Sequence, residues 1–273
     1  MAIDGGVNGR YCAKMQAYII FTLARTGSTT LLRLLNCRQG LRCAFEPFNP
    51  RNVDPLLVQC NALRMQHGLE HAVGRLWTLC NGFKHVWHWD GWPFPENPDL
   101  NRRLLVGMGA RIILLHRRNA LQRAISVQIS DQMQLWTPNT FEDFQRIRGH
   151  QFRALDIAGL REEIAGAGQA QAWARGELAR AGVSWRAVAY EDIFDSAVPV
   201  DGRLEAVQGI LEFLEAGRAT EVEKVGMRTL LNPAVTGFQN AAAYGKIPNI
   251  EEVERELGCA ETGFVFERQP RPS

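Results

Sequence analysis

The chain has 273 residues, 46% of them hydrophobic, which is enough to bury a sizeable core. Its 31 Lys and Arg residues stand against 29 Asp and Glu, a formal net charge of +2. So near-neutral a balance excludes a protein that coats nucleic acid or another polyanion, while still allowing a local basic pocket.

Residues 1–10 are polar and Gly-rich, with no basic segment ahead of an apolar core, so no signal peptide can be read there. Tyr18 to Leu23 form an apolar, β-branched and aromatic run that predicts a buried strand. Ala24 to Gly27 break it, and Ser28 to Arg38 predict a helix with Leu31, Leu32, Leu34 and Leu35 as its apolar surface. Leu41 to Phe45 predict a short second strand. Asn52 to Leu79 are mostly helical by pattern, and Phe83 to Trp89 predict another strand. Pro93, Pro95 and Pro98 mark a loop, after which Asp99 is expected to cap a helix through Met108. Arg111 to His116 are the clearest later strand, with Asn119 as the cap of the helix beyond it. Phe141 to Ala181 are Ala-, Glu- and Arg-rich and largely helical. Trp185 to Tyr190 predict a strand, Leu204 to Leu214 a helix, Asn232 to Pro248 a long loop, and Ile250 to Leu257 a last helix.

Strands alternating with helices predict an α/β fold, three-layer with a central mainly parallel sheet. One domain over 1–273 is expected, with a helical insertion near 140–180. No apolar run approaches the ~18 residues of a membrane helix, so no integral membrane segment is expected. The six cysteines, at 12, 37, 43, 60, 80 and 259, form no CxxC pair. That argues against a zinc ribbon or thioredoxin-like centre and favours free thiols in a reducing compartment. A cytoplasmic location follows, unless an anchor has been removed.

The strongest chemical signal is a strand, then Ala24-Arg25-Thr26-Gly27-Ser28-Thr29-Thr30, then a helix. A helix N-terminus offers unpaired N–H groups and the positive end of a dipole. Gly27 lets the backbone turn closely around an anion, the hydroxyls of Thr26, Ser28, Thr29 and Thr30 add donors, and Arg25 adds fixed charge. The plainer reading is a capped αβ turn with a surface Arg. The segment lacks the Gly-Lys pair of a P-loop NTPase. The strand at Arg111 ends in His116-Arg117-Arg118, where a kinase would want a carboxylate for magnesium. There Arg118, and Ser126 eight residues on, could face one anion. The alternative is an ordinary junction with Arg123 solvated and Ser126 on a helix face.

In this order the two segments resemble the PAPS-dependent sulfotransferases. Arg-Thr-Gly-Ser-Thr-Thr-Leu-Leu at 25–32 is similar to their 5′-phosphosulfate loop, and Arg118 to Ser126 to their 3′-phosphate motif. The doubled Arg117-Arg118 and the ending Gln-Arg-Ala-Ile-Ser look most like the bacterial trehalose-type, carbohydrate and glycolipid branch. Glu46-Pro47-Phe48, Gly82-Phe83-Lys84 and Tyr190-Glu191-Asp192 fall where that branch has similar segments. The resemblance covers about residues 17–50, 82–90, 110–136 and 186–194. Two departures stand out. Ala120 replaces a Pro that many members carry, and no Arg-Lys-Gly loop is present, Asn232 to Lys246 being the one candidate.

The resemblance implies a P-loop-like sulfotransferase fold and 3′-phosphoadenosine 5′-phosphosulfate (PAPS) as co-substrate, with no metal. Arg25 and the 27–30 loop would hold the phosphosulfate, and Arg118 with Ser126 the 3′-phosphate. Glu46 is the expected base, walled from water by Phe45, Pro47 and Phe48, with His85, His88 and His116 as rivals. Lys84 would bind sulfuryl oxygens, or is a solvated strand-end Lys. Trp87, Trp89 and Trp92 either stack on an acceptor or belong to the core. The acceptor stays open between a carbohydrate or glycolipid and another small hydroxylated lipid or metabolite. No nucleic acid partner is expected, and a homo-oligomer is left open. The competing readings are a kinase-like phosphotransferase and a non-catalytic nucleotide-binding module.

Overall fold

The structure, a computed structural model, describes residues 16–136, 141–232 and 244–266. Five strands make one sheet, all parallel: β1 (Tyr18–Thr22), β2 (Cys43–Phe45), β3 (Gly82–Val86), β4 (Arg111–His116) and β5 (Trp185–Ala189). Their order is β2-β3-β1-β4-β5, with β1 in the centre and every one of its side chains buried. A strand buried on both faces reads as a continuous apolar run, which is why 18–23 stood out.

Alternation sends β1 side chains to two separate cores. Ile19 and Phe21 join Phe83, Ile112 and Leu114 on one face. That face is covered by α3 (Leu69–Leu76), α4 (Asp99–Val106) and α7 (Ile157–Ala181). Tyr18 and Ile20 join Ile113 and Leu115 on the other, covered by α1 (Ser28–Asn36), α9 (Val200–Phe213) and α10 (Glu221–Leu231). Helices on both faces of a parallel sheet give the expected three layers. The segment expected as a helical insertion supplies α6 (Phe141–Gly149) and α7, and Ala167, Ala170, Ala174 and Leu178 of α7 belong to the core. A third cluster joins α5 (Ala120–Met133) to α11 (Ile250–Leu257).

Several boundaries differ from expectation for local reasons. The helical stretch 52–79 is two helices, α2 (Pro55–His67) and α3, because Gly68 at φ 87° cannot continue a helix. Asp99 is the first residue of α4 rather than its cap, Pro98 holding the cap position. Helix α10 was not anticipated, although Thr220-x-x-Glu223 forms a complete capping box. Residues 233–243, which hold most of the candidate Arg-Lys-Gly equivalent, lie outside the described residues, as does Cys12. The other five cysteines are free thiols. No helix among the described residues is long and apolar enough to cross a membrane.

Two consequences of the topology place the site. The connections out of β1 and β4 run to opposite edges of the sheet, which opens a crevice between their C-terminal ends. Parallel pairing also brings all five C-terminal ends to the same side.

Candidate active site

A cavity of about 810 Å³ fills that side of the sheet, within the range of small-molecule pockets. Each strand end contributes to its wall: Arg25 after β1, Glu46 after β2, Trp87 after β3, Arg117 after β4 and Tyr190 after β5. A smaller hollow of about 220 Å³ between α9 and α10 holds no group from a strand end.

The β1–α1 loop is held in a conformation that L-residues rarely adopt. Arg25 has φ 65° and Gly27 φ 78°. A Cβ on Gly27 would lie 2.7 Å from the Phe194 ring and 2.8 Å from Tyr190, so a glycine is required twice over. Thr26 turns inward and pins the turn through its own hydroxyl, which lies 2.5 Å from that of Thr22 and donates to the Leu23 carbonyl at 3.1 Å. It is the one residue of the expected 25–30 cradle absent from the cavity wall. Gly27 caps α1 without a side chain, and the first intrahelical bond comes from Leu31. The N–H groups of Ser28, Thr29 and Thr30 therefore have no helical acceptor, and all three residues line the cavity.

Arg25 spans the cavity. Its Nε donates to Ser126 Oγ at 2.9 Å and its Nη1 to the Trp136 carbonyl at 2.6 Å. Two segments singled out separately in the sequence, 101 residues apart, thus meet directly. Burial, and then the charge of Arg117, lower the Arg25 guanidinium to about 10.

Glu46 and Lys84 form the second group. Lys84 is 2% exposed and is not a solvated strand-end residue. Its ammonium lies 2.7 Å from Glu46 Oε1, donates to Thr29 Oγ1 at 2.9 Å, and sits 3.9 Å from the centre of the Phe45 ring. Burial lowers its pKa, against the opposing pull of Glu46. The other Glu46 oxygen accepts from Asn49 Nδ2 at 2.5 Å. The expected aromatic jacket differs in detail: Phe45 covers Lys84, and Phe48 turns into the core against Phe83 and Phe94.

At the end of β4 the two arginines part. Arg118 is not among the cavity residues. Its guanidinium is 56% exposed, 2.6 Å from Asp192 and 3.7 Å from Glu191. Arg117 is 5% exposed, lines the cavity, and lies 4.4 Å over the Tyr190 ring. Glu191 accepts the backbone N–H groups of Arg118 and Asn119 at 3.0 and 2.9 Å. Asn119 in turn caps α5 by accepting from the Gln122 N–H. Ser126, on α5, lines the cavity as expected.

No protein-family model matches this chain, and neither does any curated protein. The site's own chemistry therefore carries the argument. Of the three histidines, only His88 reaches the cavity. His85 is buried on Asn101, its Nε2 2.8 Å from Oδ1, and burial lowers it to about 4. His116 is lowered by burial and by Arg175. Trp87 packs on Phe21 and Trp173, Trp92 faces the cavity, and Trp89 stacks on His88 outside it.

Some cavity residues escaped the sequence reading. Arg123, read as solvated in the plain alternative, is 1% exposed and paired with Glu163 at 2.6 Å. Glu163 also approaches His88 Nε2 at 3.7 Å, and Asp90 holds His88 Nδ1 at 2.9 Å. Burial opposes charge on His88, but these two carboxylates outweigh it and raise its pKa. Nothing in the local pattern of α7 marks Glu163; only its packing against α5 does.

Proposed function

We propose that this protein is a PAPS-dependent sulfotransferase acting on an acceptor hydroxyl. The observation that carries the reading is the Lys84 bridge, which joins the Glu46 carboxylate, at the end of β2, to Thr29 at the open N-terminus of α1. A base and an oxyanion cradle thereby share one cation.

When bound, PAPS supplies the sulfuryl group, which passes to the acceptor oxygen as its bond to the 5′-phosphate oxygen breaks. The residues present fit such a donor: the N–H groups and hydroxyls of 28–30 with Lys84 at the α1 end of the cavity, and Arg25 with Ser126, which it meets at 2.9 Å, beside them. Glu46 takes the acceptor's proton. Lys84 and the α1 N–H groups stabilise charge on the sulfuryl and leaving oxygens, in a setting where fixed dipoles act strongly. Trp92 and Trp136 offer flat apolar surface to the acceptor.

The test is turnover with labelled PAPS against a panel of carbohydrate, glycolipid, lipid and phenolic acceptors, read as added sulfate by mass. Activity should persist in EDTA, since Arg25, Lys84 and the helix end supply the positive charge. A strict magnesium requirement would instead support a phosphotransferase, and intact nucleotide binding with no turnover on any acceptor a binding module.

A further inference from the structure

The imidazole of His88, on the cavity wall, stands between two carboxylates. Asp90 Oδ1 lies 2.9 Å from its Nδ1, and Glu163 Oε2 lies 3.7 Å from its Nε2. The second contact is too long for a hydrogen bond and acts through charge, so it depends on the ring being protonated. Nδ1 also has another partner in reach, the Asp90 N–H at 3.3 Å, which suits the ring once that nitrogen has lost its proton. The two charge states of His88 therefore have different partners. Glu163, on α7, is fixed through its other oxygen by Arg123, 2.6 Å away and 1% exposed. Asp90 accepts the Trp92 N–H at 3.0 Å, and the His88 N–H donates to the Trp92 carbonyl at 3.2 Å. The turn 88–92 is thus closed on itself, and Trp92, which faces the cavity, follows His88. The turn meets α7 through the Glu163 contact and through the Trp89 ring, which stacks on His88 at 3.7 Å and lies where a Cβ on Gly166 would stand. Two more charges stand nearby: Asp131 of α5, raised by burial and then by Glu163, and Arg51, 5.3 Å over the Trp92 ring. Among the described residues neither is within ion-pair distance of His88.

We propose that His88 is a positioning residue, whose charge holds the 88–92 turn, and with it the Trp92 face of the cavity, against Glu163 of α7. The two carboxylates favour that charge, since they raise His88 above its ordinary 6.5 despite burial. The clamp is therefore complete below 6.5 and is lost as the pH rises through the midpoint of His88 itself. Burial opposes charge on Glu163, but His88 and Arg123 outweigh it and hold its carboxyl below the ordinary range, so acid releases that side only later. The wall supplied by the short helix α8 (Tyr190–Phe194) is fastened differently: Glu191 accepts the backbone N–H groups of Arg118 and Asn119, donors that do not titrate. That the Trp92 face meets an acceptor rests on the sulfotransferase reading above; the clamp does not.

The experiment uses the full chain. Imidazole NMR signals are followed through a pH titration, with His88 assigned by its loss in His88→Gln. Its midpoint should lie above 6.5 and should fall in Asp90→Asn. Amide hydrogen exchange is then read by mass on either side of that midpoint, with labelling times scaled to the intrinsic rate at each pH. Peptides over 86–98 should exchange several-fold faster above the midpoint, and peptides over α8 should show no such step. His88→Gln should exchange fast at both pH values, and His88→Lys, charged throughout, should lose the step. A midpoint at or below 6.5, wild-type protection that is equal on both sides, or a step that persists in His88→Lys overturns the proposal. With an acceptor in hand, His88→Gln should raise the acceptor KM several-fold and change kcat little; a fall in kcat of a hundredfold or more would make His88 the base rather than a positioning residue. If the exchange step appears and no acceptor is sulfated, the clamp stands and the sulfotransferase reading falls.

Discussion

The ammonium of Lys84, 2% exposed, stands 2.7 Å from the Glu46 carboxylate. Neither group is independent of the other. Removing one partner of a buried pair leaves an uncompensated charge, at a cost of roughly 3 kcal/mol or more.

Lys84→Met should therefore lower unfolding stability by that order in urea titration. Adding Glu46→Gln to it should recover part of the loss, since no lone carboxylate then remains. A double variant as unstable as the sum of the two singles would show that the pair is not coupled.

Glu46→Gln keeps the shape of the side chain and its contact with Asn49, and removes the carboxylate proposed as the base. General-base catalysis is typically worth ~10²–10⁴-fold, so kcat should fall by that order. Affinity for 3′-phosphoadenosine 5′-phosphate should barely change. A variant keeping most of its kcat would move attention to His88, the histidine on the cavity wall.

Gly27→Ala meets both a backbone at φ 78° and the rings of Phe194 and Tyr190 inside 3 Å. A loss of about 1–3 kcal/mol is expected. Displacing Tyr190 also disturbs the ring beneath Arg117, on the cavity wall, so affinity for 3′-phosphoadenosine 5′-phosphate should weaken on the proposed function. Wild-type stability and nucleotide affinity in this variant would mean that the loop tolerates another shape.

His85 gives the fold a pH dependence. Its value of about 4 lies below the ordinary 6.5, because burial disfavours the imidazolium. The unfolded chain then binds more protons between those values, so stability rises with pH. The contribution is complete above about 6.5 and is lost as the pH falls toward 4, on the order of 3 kcal/mol in all. Urea midpoints measured across this window should drop on acidification in the wild type, and His85→Gln should flatten the curve. Parallel curves would place the proton uptake elsewhere.

Much of this was visible in the sequence, and for definable reasons. Continuous apolar runs at 18–21 and 112–115 mark strands buried on both faces, and Gly27 marks the turn between strand and helix. The pairing of Glu46 with Lys84 was not visible, because it depends on β2 and β3 being neighbours, a fact of sheet order rather than of local pattern. Alternation at a strand end says that Arg117 and Arg118 face opposite ways, but not which of them faces the cavity. Tyr190 and Asp192 decide that from 73 or more residues away, through contacts that only the fifth strand brings near. The role of Phe48 was misjudged for a related reason: an aromatic beside a carboxylate in sequence can still turn its ring into the core.

A cavity walled by five strand ends is complete only when the whole sheet has formed. Each wall group arrives on a different crossover, and the last, Tyr190, comes only when β5 has docked on β4. On the proposed function, fragments ending before that strand should bind the nucleotide far more weakly, however much helix they contain. A ligand that binds the folded chain alone, held at a hundred times its Kd, would add about 2.7 kcal/mol to the completed chain and little to a partial one. Such a ligand would favour chains that have finished the sheet.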